Sequence, residues 1–297
     1  MDTERLPGCY RHPDRGTGIR CTRCERPICP ECMISASVGF QCPACVREGS
    51  GGGRGPAANA PRTIAGGVVA ADPHLVTKIL IGINAAVYLA AIALPELAIQ
   101  LELIGRYYEQ LGGPPEGVAT GEYHRLLTST FLHVQWWHLM GNMLGLWFLG
   151  GPLEQALGRA RYLTVYVLSA LGGSALVYLL TPQNVATLGA SGAVFGLLGA
   201  SVVLARRMRH EMRPLITVVV FMLVLTFAPL SGSLTVSWQA HVGGLVTGAL
   251  LALGLLRPAP KGDARTRGLV QWGTCVAVFL LAAAVIAVRT AELSALT

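Results

Sequence analysis

Seven of the eight cysteines lie between Cys9 and Cys45, and with His12 they form four pairs of one spacing: Cys9-x2-His12, Cys21-x2-Cys24, Cys29-x2-Cys32 and Cys42-x2-Cys45. A two-residue gap lets a tight turn aim both side chains at one tetrahedral ion, and eight nitrogen and sulfur ligands are the number two closed zinc sites require. Disulfides would leave one thiol over, and the histidine in the eighth place suits a metal. The expectation is a module holding two structural Zn2+ ions. Closed sites leave no open position for catalysis, so its use is binding a cytoplasmic protein partner.

A second set of residues lies in strongly apolar sequence. Polar side chains at bilayer depth cost several kcal/mol unless paired or used. Lys78 sits at a span end, where its long stem can snorkel to the interface. What remains is His133, His138 and Asn142, then Ser191 in Leu188-Gly189-Ala190-Ser191-Gly192-Ala193, and His241 in Ser237-Trp238-Gln239-Ala240-His241-Val242-Gly243-Gly244. Ser191 is the seventh residue of its expected span and His241 the sixth of another running the same way, which places both about 8 to 9 Å below one surface. Gly192 and Gly196 on one helix, with Ala240, Gly244 and Gly248 on the other, allow the backbones to approach closely. That pairs a nucleophile with a base. No Asp or Glu occurs in the fourth, fifth or sixth span to orient the imidazole, so the economical reading is a dyad. His138 and Asn142, four apart and on one helical face, suit an oxyanion hole together with the Ser191 backbone N–H.

Seven apolar stretches must position these groups, at about 75–94, 131–153, 162–180, 185–205, 214–230, 236–256 and 268–288. Each is long enough to cross a hydrocarbon layer, and as each must pair its own backbone amides, all are expected to be helices. The composition agrees: of 297 residues 52% are hydrophobic and 13% charged, with mean hydropathy +0.51, which excludes a wholly water-soluble or disordered chain. Net charge is +7. Ten Lys and Arg fall in the loops after the second, fourth and sixth spans (Arg159, Arg161, Arg206, Arg207, Arg209, Arg213, Arg257, Lys261, Arg265, Arg267), against Arg106, Arg125 and Arg289 on the other side. By the positive-inside rule the N-terminus is cytoplasmic and the C-terminus outside. Topology thus accounts for the basic balance, and no nucleic-acid partner is expected. The residues ahead of the cysteines carry no apolar run with a cleavage site, so no secretory signal is expected there. Residues 49–72, rich in Gly, Pro and Ala, read as a flexible tether.

The motifs His133-x4-His138-x3-Asn142, Gly189-Ala190-Ser191-Gly192 and Ala240-His241-x2-Gly244-x3-Gly248 resemble those of the rhomboid family of intramembrane serine proteases, over roughly residues 75–256. The resemblance implies an all-α membrane protein with a six-helix core (73–256) and a seventh, C-terminal transmembrane helix within 257–297. It implies a serine endopeptidase in the cell membrane that cleaves transmembrane protein substrates near the outer face of the bilayer and needs no cofactor for catalysis. Ser191 becomes the nucleophile, His241 its base, His138 and Asn142 the oxyanion donors, and Glu154 a structural carboxylate. Two positions depart from the pattern: His124-Arg125 where many members have Trp-Arg, and Phe195 where a Tyr often stacks on the base. The order of the cysteine pairs, in residues 1–48, resembles a cross-braced B-box-like zinc module. That implies Cys9, His12, Cys29 and Cys32 around one ion and Cys21, Cys24, Cys42 and Cys45 around the other, with sequential pairing open. The competing reading of the whole chain is a non-catalytic membrane adaptor or transport protein. Against transport, no midplane carboxylate is available to couple an ion.

Overall fold

The computed structural model describes residues 6–36, 38–49, 62–69, 71–108, 113–227, 237–257 and 264–295. The chain divides into two compact units, Met1–Pro61 and Arg62–Thr297.

The first unit has little regular structure: a 3-10 turn at Pro30–Cys32, an antiparallel pair β1 (Ile34–Ser35) and β2 (Phe40–Gln41), and the short helix α1 (Pro43–Gly49). Its buried interior is six thiols and Ile28. Burial of one aliphatic side chain cannot offset the ordering of forty residues, so the thiols must be tied together by something stronger than packing.

The second unit is a helical bundle. Helix α2 (Leu75–Ala93) leads through α3 (Pro95–Leu101), a pair of two-residue strands β3 (Tyr107–Tyr108) and β4 (Pro115–Glu116), and the single turn α4 (Arg125–Thr128). Then follow α5 (Trp136–Leu157), α6 (Arg159–Leu180), α7 (Ser191–Met208), α8 (Arg213–Phe227), α9 (Trp238–Leu255) and α10 (Ala264–Ser294). These are the six expected core helices and the seventh at the C-terminus. Helices α2, α6, α7, α9 and α10 are each long and apolar enough to span a bilayer, and α8 is apolar but shorter. The protein is an integral membrane protein.

Two helices begin later than hydropathy alone predicts. The span expected from 131 starts at Trp136, because Ser129–Phe131 is a 3-10 turn and Gln135 is extended. The span expected from 185 starts at Ser191, because Gly189 takes φ +122°, which no right-handed helix tolerates. Ser191 is therefore the first residue of its helix rather than the seventh of a span, and His241 the fourth rather than the sixth. Apolarity marks what a segment is dissolved in; it does not mark where the backbone becomes helical.

Helices α7 and α9 form the most extensive contact in the bundle. Glycine makes it possible: a Cβ at Gly192 would lie 3.3 Å from the Ala240 carbonyl oxygen, while Cβ atoms at Gly244 and Gly248 would overlap the carbonyl oxygens of Gly192 and Gly196. In lipid, where apolar surface gains nothing from leaving its solvent, close backbone approach of this kind is a main source of helix association. Around the crossing, Leu146, Leu153, Tyr166, Leu197, Leu251 and Leu255 are fully buried.

Part of the stretch expected as a tether over 49–72 is ordered. Residues 50–61 lie outside the described set, but 62–68 form a closed turn, with the Thr63 N–H on Gly67 O at 2.9 Å and the Gly66 N–H on Thr63 O at 2.7 Å. Ala65 is fully buried, and its carbonyl accepts from Gln271 Nε2 at 2.8 Å, while Ile64 O accepts from Arg267 Nη2 at 2.7 Å. The small residues that make a loose chain also make a turn slim enough to slot between helix ends.

Candidate active site

Ser191 is placed by the loop before it. The Gly189 N–H donates to Ser129 O at 2.9 Å, and the Ala190 N–H reaches His133 Nε2 at 3.4 Å. A Cβ at Gly189 would lie 2.5 Å from His138 Cε1 and 2.8 Å from its Nε2, so that imidazole rests against the glycine backbone. The first helical bond of α7 is Val194 N–H to Ala190 O, at 3.0 Å. The N–H groups of Ser191, Gly192 and Ala193 thus have no partner within the helix and concentrate partial positive charge beside the serine.

His241 is buried in the first turn of α9, a turn capped by Ser237, whose Oγ accepts from the Ala240 N–H at 3.3 Å. Its ring stacks flat on Phe195, with centroids 4.0 Å apart and planes 12° apart. Phe195 stands four residues after Ser191, on the same face of α7, so the serine-bearing face of α7 carries the imidazole. Among the described residues no hydrogen bond joins the Ser191 hydroxyl to His241. The contact His241 does make is from Nδ1 to Thr226 Oγ1 on α8, at 2.7 Å. The sequence offered no carboxylate to orient the ring, and a hydroxyl stands there instead. A threonine in an apolar run, one of two in α8 with Thr217, gives no sequence signal for such a role.

The expected oxyanion donors differ in availability. The half-buried ring of His138 lies beside Gly189 and forms an edge-on pair with His133, at 4.9 Å between centroids. Asn142 is buried, and its Nδ2 is engaged with His133 Nε2 at 3.1 Å and with His138 O, also at 3.1 Å. Both of its amide hydrogens are thereby used. His133, which sequence reasoning noted without a role, is the acceptor that ties α5 to the loop before the serine.

Comparison with known proteins bears on this arrangement. The family description Rhomboid domain matches residues 120–258. YdcA of Bacillus subtilis (strain 168), whose name assigns it provisionally to the rhomboid proteases, is 34% identical over 142 residues, covering 46% of this chain and 69% of its own length. The chain belongs to the rhomboid family. Rhomboid protease GluP of the same bacterium is 34% identical over 171 residues, 57% of this chain and 32% of GluP. RHOMBOID-like protein 5 of Arabidopsis thaliana is 38% identical over 147 residues, 47% of this chain and 46% of that protein. The chain thus spans less than half the length of these two relatives.

Two further features of this rhomboid hold the ends of the bundle. At the end away from Ser191, the buried Glu154 carboxylate accepts from the N–H groups of Val76 at 3.0 Å and Thr77 at 3.1 Å and from Thr77 Oγ1 at 3.1 Å, with Arg159 Nε at 3.8 Å. A carboxylate at the first turn of α2 satisfies orphan amides and meets the positive end of the helix dipole. At the serine end, Arg125 is 2% exposed and donates to Glu122 at 2.6 Å and to the carbonyls of Ile99 at 2.6 Å and Glu102 at 3.2 Å. Arg125 therefore staples the first long loop, while its neighbour His124 reaches Gln100 O at 3.3 Å.

The cysteine module forms two candidate metal centres. The ligand atoms of Cys9, His12, Cys29 and Cys32 lie within 4.8 Å of one another, as do those of Cys21, Cys24, Cys42 and Cys45. Tetrahedral zinc requires about 3.8 Å between two sulfurs and about 3.6 Å between sulfur and nitrogen, from bond lengths of about 2.3 and 2.0 Å. Here His12 Nδ1 lies 3.3 Å from Cys29 Sγ and 3.5 Å from Cys32 Sγ, and Cys24 and Cys42 Sγ are 3.7 Å apart. None of these cysteines is in a disulfide. Crowding divides the thiols. Burial raises Cys9 and Cys21, but backbone N–H groups, including those of Arg11 at Cys9 and Cys42 at Cys21, outweigh it and draw both down to about 6. Burial and then the Cys9 and Cys29 thiols push Cys32 up to about 11, and the Cys24 thiol followed by burial pushes Cys45 up to about 12. Thiolates this close need a cation among them, so the donor set fits a soft divalent ion.

Proposed function

We propose that this rhomboid is an intramembrane serine endopeptidase acting on membrane-anchored protein substrates near the outer face of the cell membrane. The observation that carries the reading is the Phe195–His241 stack, which sets an imidazole on the serine-bearing face of α7 beside its free N–H groups. Ser191 Oγ attacks the scissile carbonyl and its proton passes to His241 Nε2. The oxyanion is held by the Ser191 N–H and His138, with Asn142 joining once it gives up its bond to His138 O. Collapse expels the amine, which takes the proton from His241, and a water, deprotonated in turn by His241, hydrolyses the acyl-enzyme.

In the same proposal the eight Cys and His ligands hold two structural zinc ions in a cytoplasmic module over residues 1–48. That module serves a partner-binding role separate from the chemistry, and the C-terminus lies outside. The tests are cleavage of a model transmembrane substrate and labelling by a fluorophosphonate probe. Ser191→Ala and His241→Ala are each expected to abolish cleavage, and Ser191→Ala to abolish labelling. Turnover retained in either variant refutes the dyad, and an unlabelled wild-type protein favours a membrane adaptor.

A further inference from the structure

We propose that Thr226 of α8 is a positioning residue that fixes the tautomer of His241, the part a carboxylate plays in a three-residue triad; the proposal rests on the Ser191–His241 reading. Thr226 Oγ1 has two short contacts, 2.7 Å to Met222 O and 2.7 Å to His241 Nδ1. A hydroxyl has one hydrogen. A carbonyl oxygen can only accept, so the hydroxyl hydrogen goes to Met222 O, and the contact with the ring is made by Nδ1–H donating to Oγ1. The neutral imidazole then carries its hydrogen on Nδ1 and keeps the Nε2 lone pair free, the arrangement a general base requires. When Nε2 takes the serine proton, the cation that forms has a lone pair of Oγ1 at Nδ1–H, with the Met222 carbonyl dipole behind it. A hydroxyl does this without placing a permanent charge in the bilayer, where a carboxylate would be costly.

The surroundings of Thr226 strengthen the assignment. It is the one buried residue among the described side chains of α8, whereas Ile216, Val218, Val220, Phe221 and Val224 of that helix are exposed. Among the described side chains of α8, Thr226 thus brings its hydroxyl to the candidate site, and a displacement of α8 from α9 would free the ring to change tautomer.

The experiment uses the full-length protein with 15N-labelled histidine, together with Thr226→Val and Thr226→Ser. Nitrogen shifts of His241, assigned by their loss in His241→Ala, are expected to report hydrogen on Nδ1 in the wild type and in Thr226→Ser, and a shift toward hydrogen on Nε2 in Thr226→Val. In turnover assays Thr226→Val is expected to lower kcat about 10- to 100-fold with KM little changed, and Thr226→Ser to restore it. A wild-type imidazole with its hydrogen on Nε2, or full kcat in Thr226→Val, overturns the proposal. If the wild type shows no Ser191-dependent turnover, the enzymatic reading fails separately and the nitrogen shifts alone decide the bond. The wild-type shifts also decide it if Thr226→Val does not fold.

Discussion

The cysteine module and the helical bundle solve the same problem with opposite materials. In the module, six buried thiols and Ile28 take the place of a core, and order depends on ligands converging on two points. In the bundle, order depends on the absence of side chains, as Gly192, Gly196, Gly244 and Gly248 let two backbones touch. One region is held by bonds to an added ion and the other by atoms that are missing. The two should therefore fail independently, under different insults.

The largest effect that tests this contrast is metal removal. Structural zinc supplies about 10–16 kcal/mol of folding free energy in small modules. A strong chelator, or Cys21→Ser with Cys24→Ser, is expected to lower zinc from about two ions per chain and to open residues 6–49 to proteolysis, while fluorophosphonate labelling of Ser191 persists. Loss of labelling together with zinc would break the contrast. The next effect is on the bundle alone. In Gly244→Val the added atoms overlap the Gly192 carbonyl and force α7 and α9 apart, at a cost of about 1–3 kcal/mol or more. Thermal unfolding in detergent should begin at lower temperature and labelling should fall, with zinc content unchanged. The smallest effect sharpens the picture inside the site. Phe195→Tyr keeps the ring on His241 and should leave kcat within about threefold, whereas Phe195→Ala removes a stack worth about 0.5–1.5 kcal/mol and should lower it further.

The two regions also differ in how far their sequences reveal them. Ligand spacing is a local property, so the cysteine pairs were legible, and the two gathered sets are those the B-box-like resemblance implies. The rhomboid motifs were equally plain, as were the seven helices. Their starts were not, because the backbone break at Gly189 lies within an apolar run, so that Ser191 opens its helix instead of lying well inside it. The Thr226 bond and the engagement of Asn142 depend on which helical faces meet, and no periodicity in one chain reports that. The turn at 62–68 was hidden for a different reason: a Gly- and Ala-rich stretch has one composition whether it wanders or docks.

Gly189 carries a consequence for any attempt to retune this protein. Its left-handed backbone excludes nearly every other amino acid, and even a methyl group there would have to displace the His138 imidazole. A saturation library at that codon should return almost nothing but the parent. Engineering of selectivity must then start from the exposed face of α8, because the long loop stapled by Arg125 is itself paired, through Leu103 and Thr187, with the chain that enters the serine.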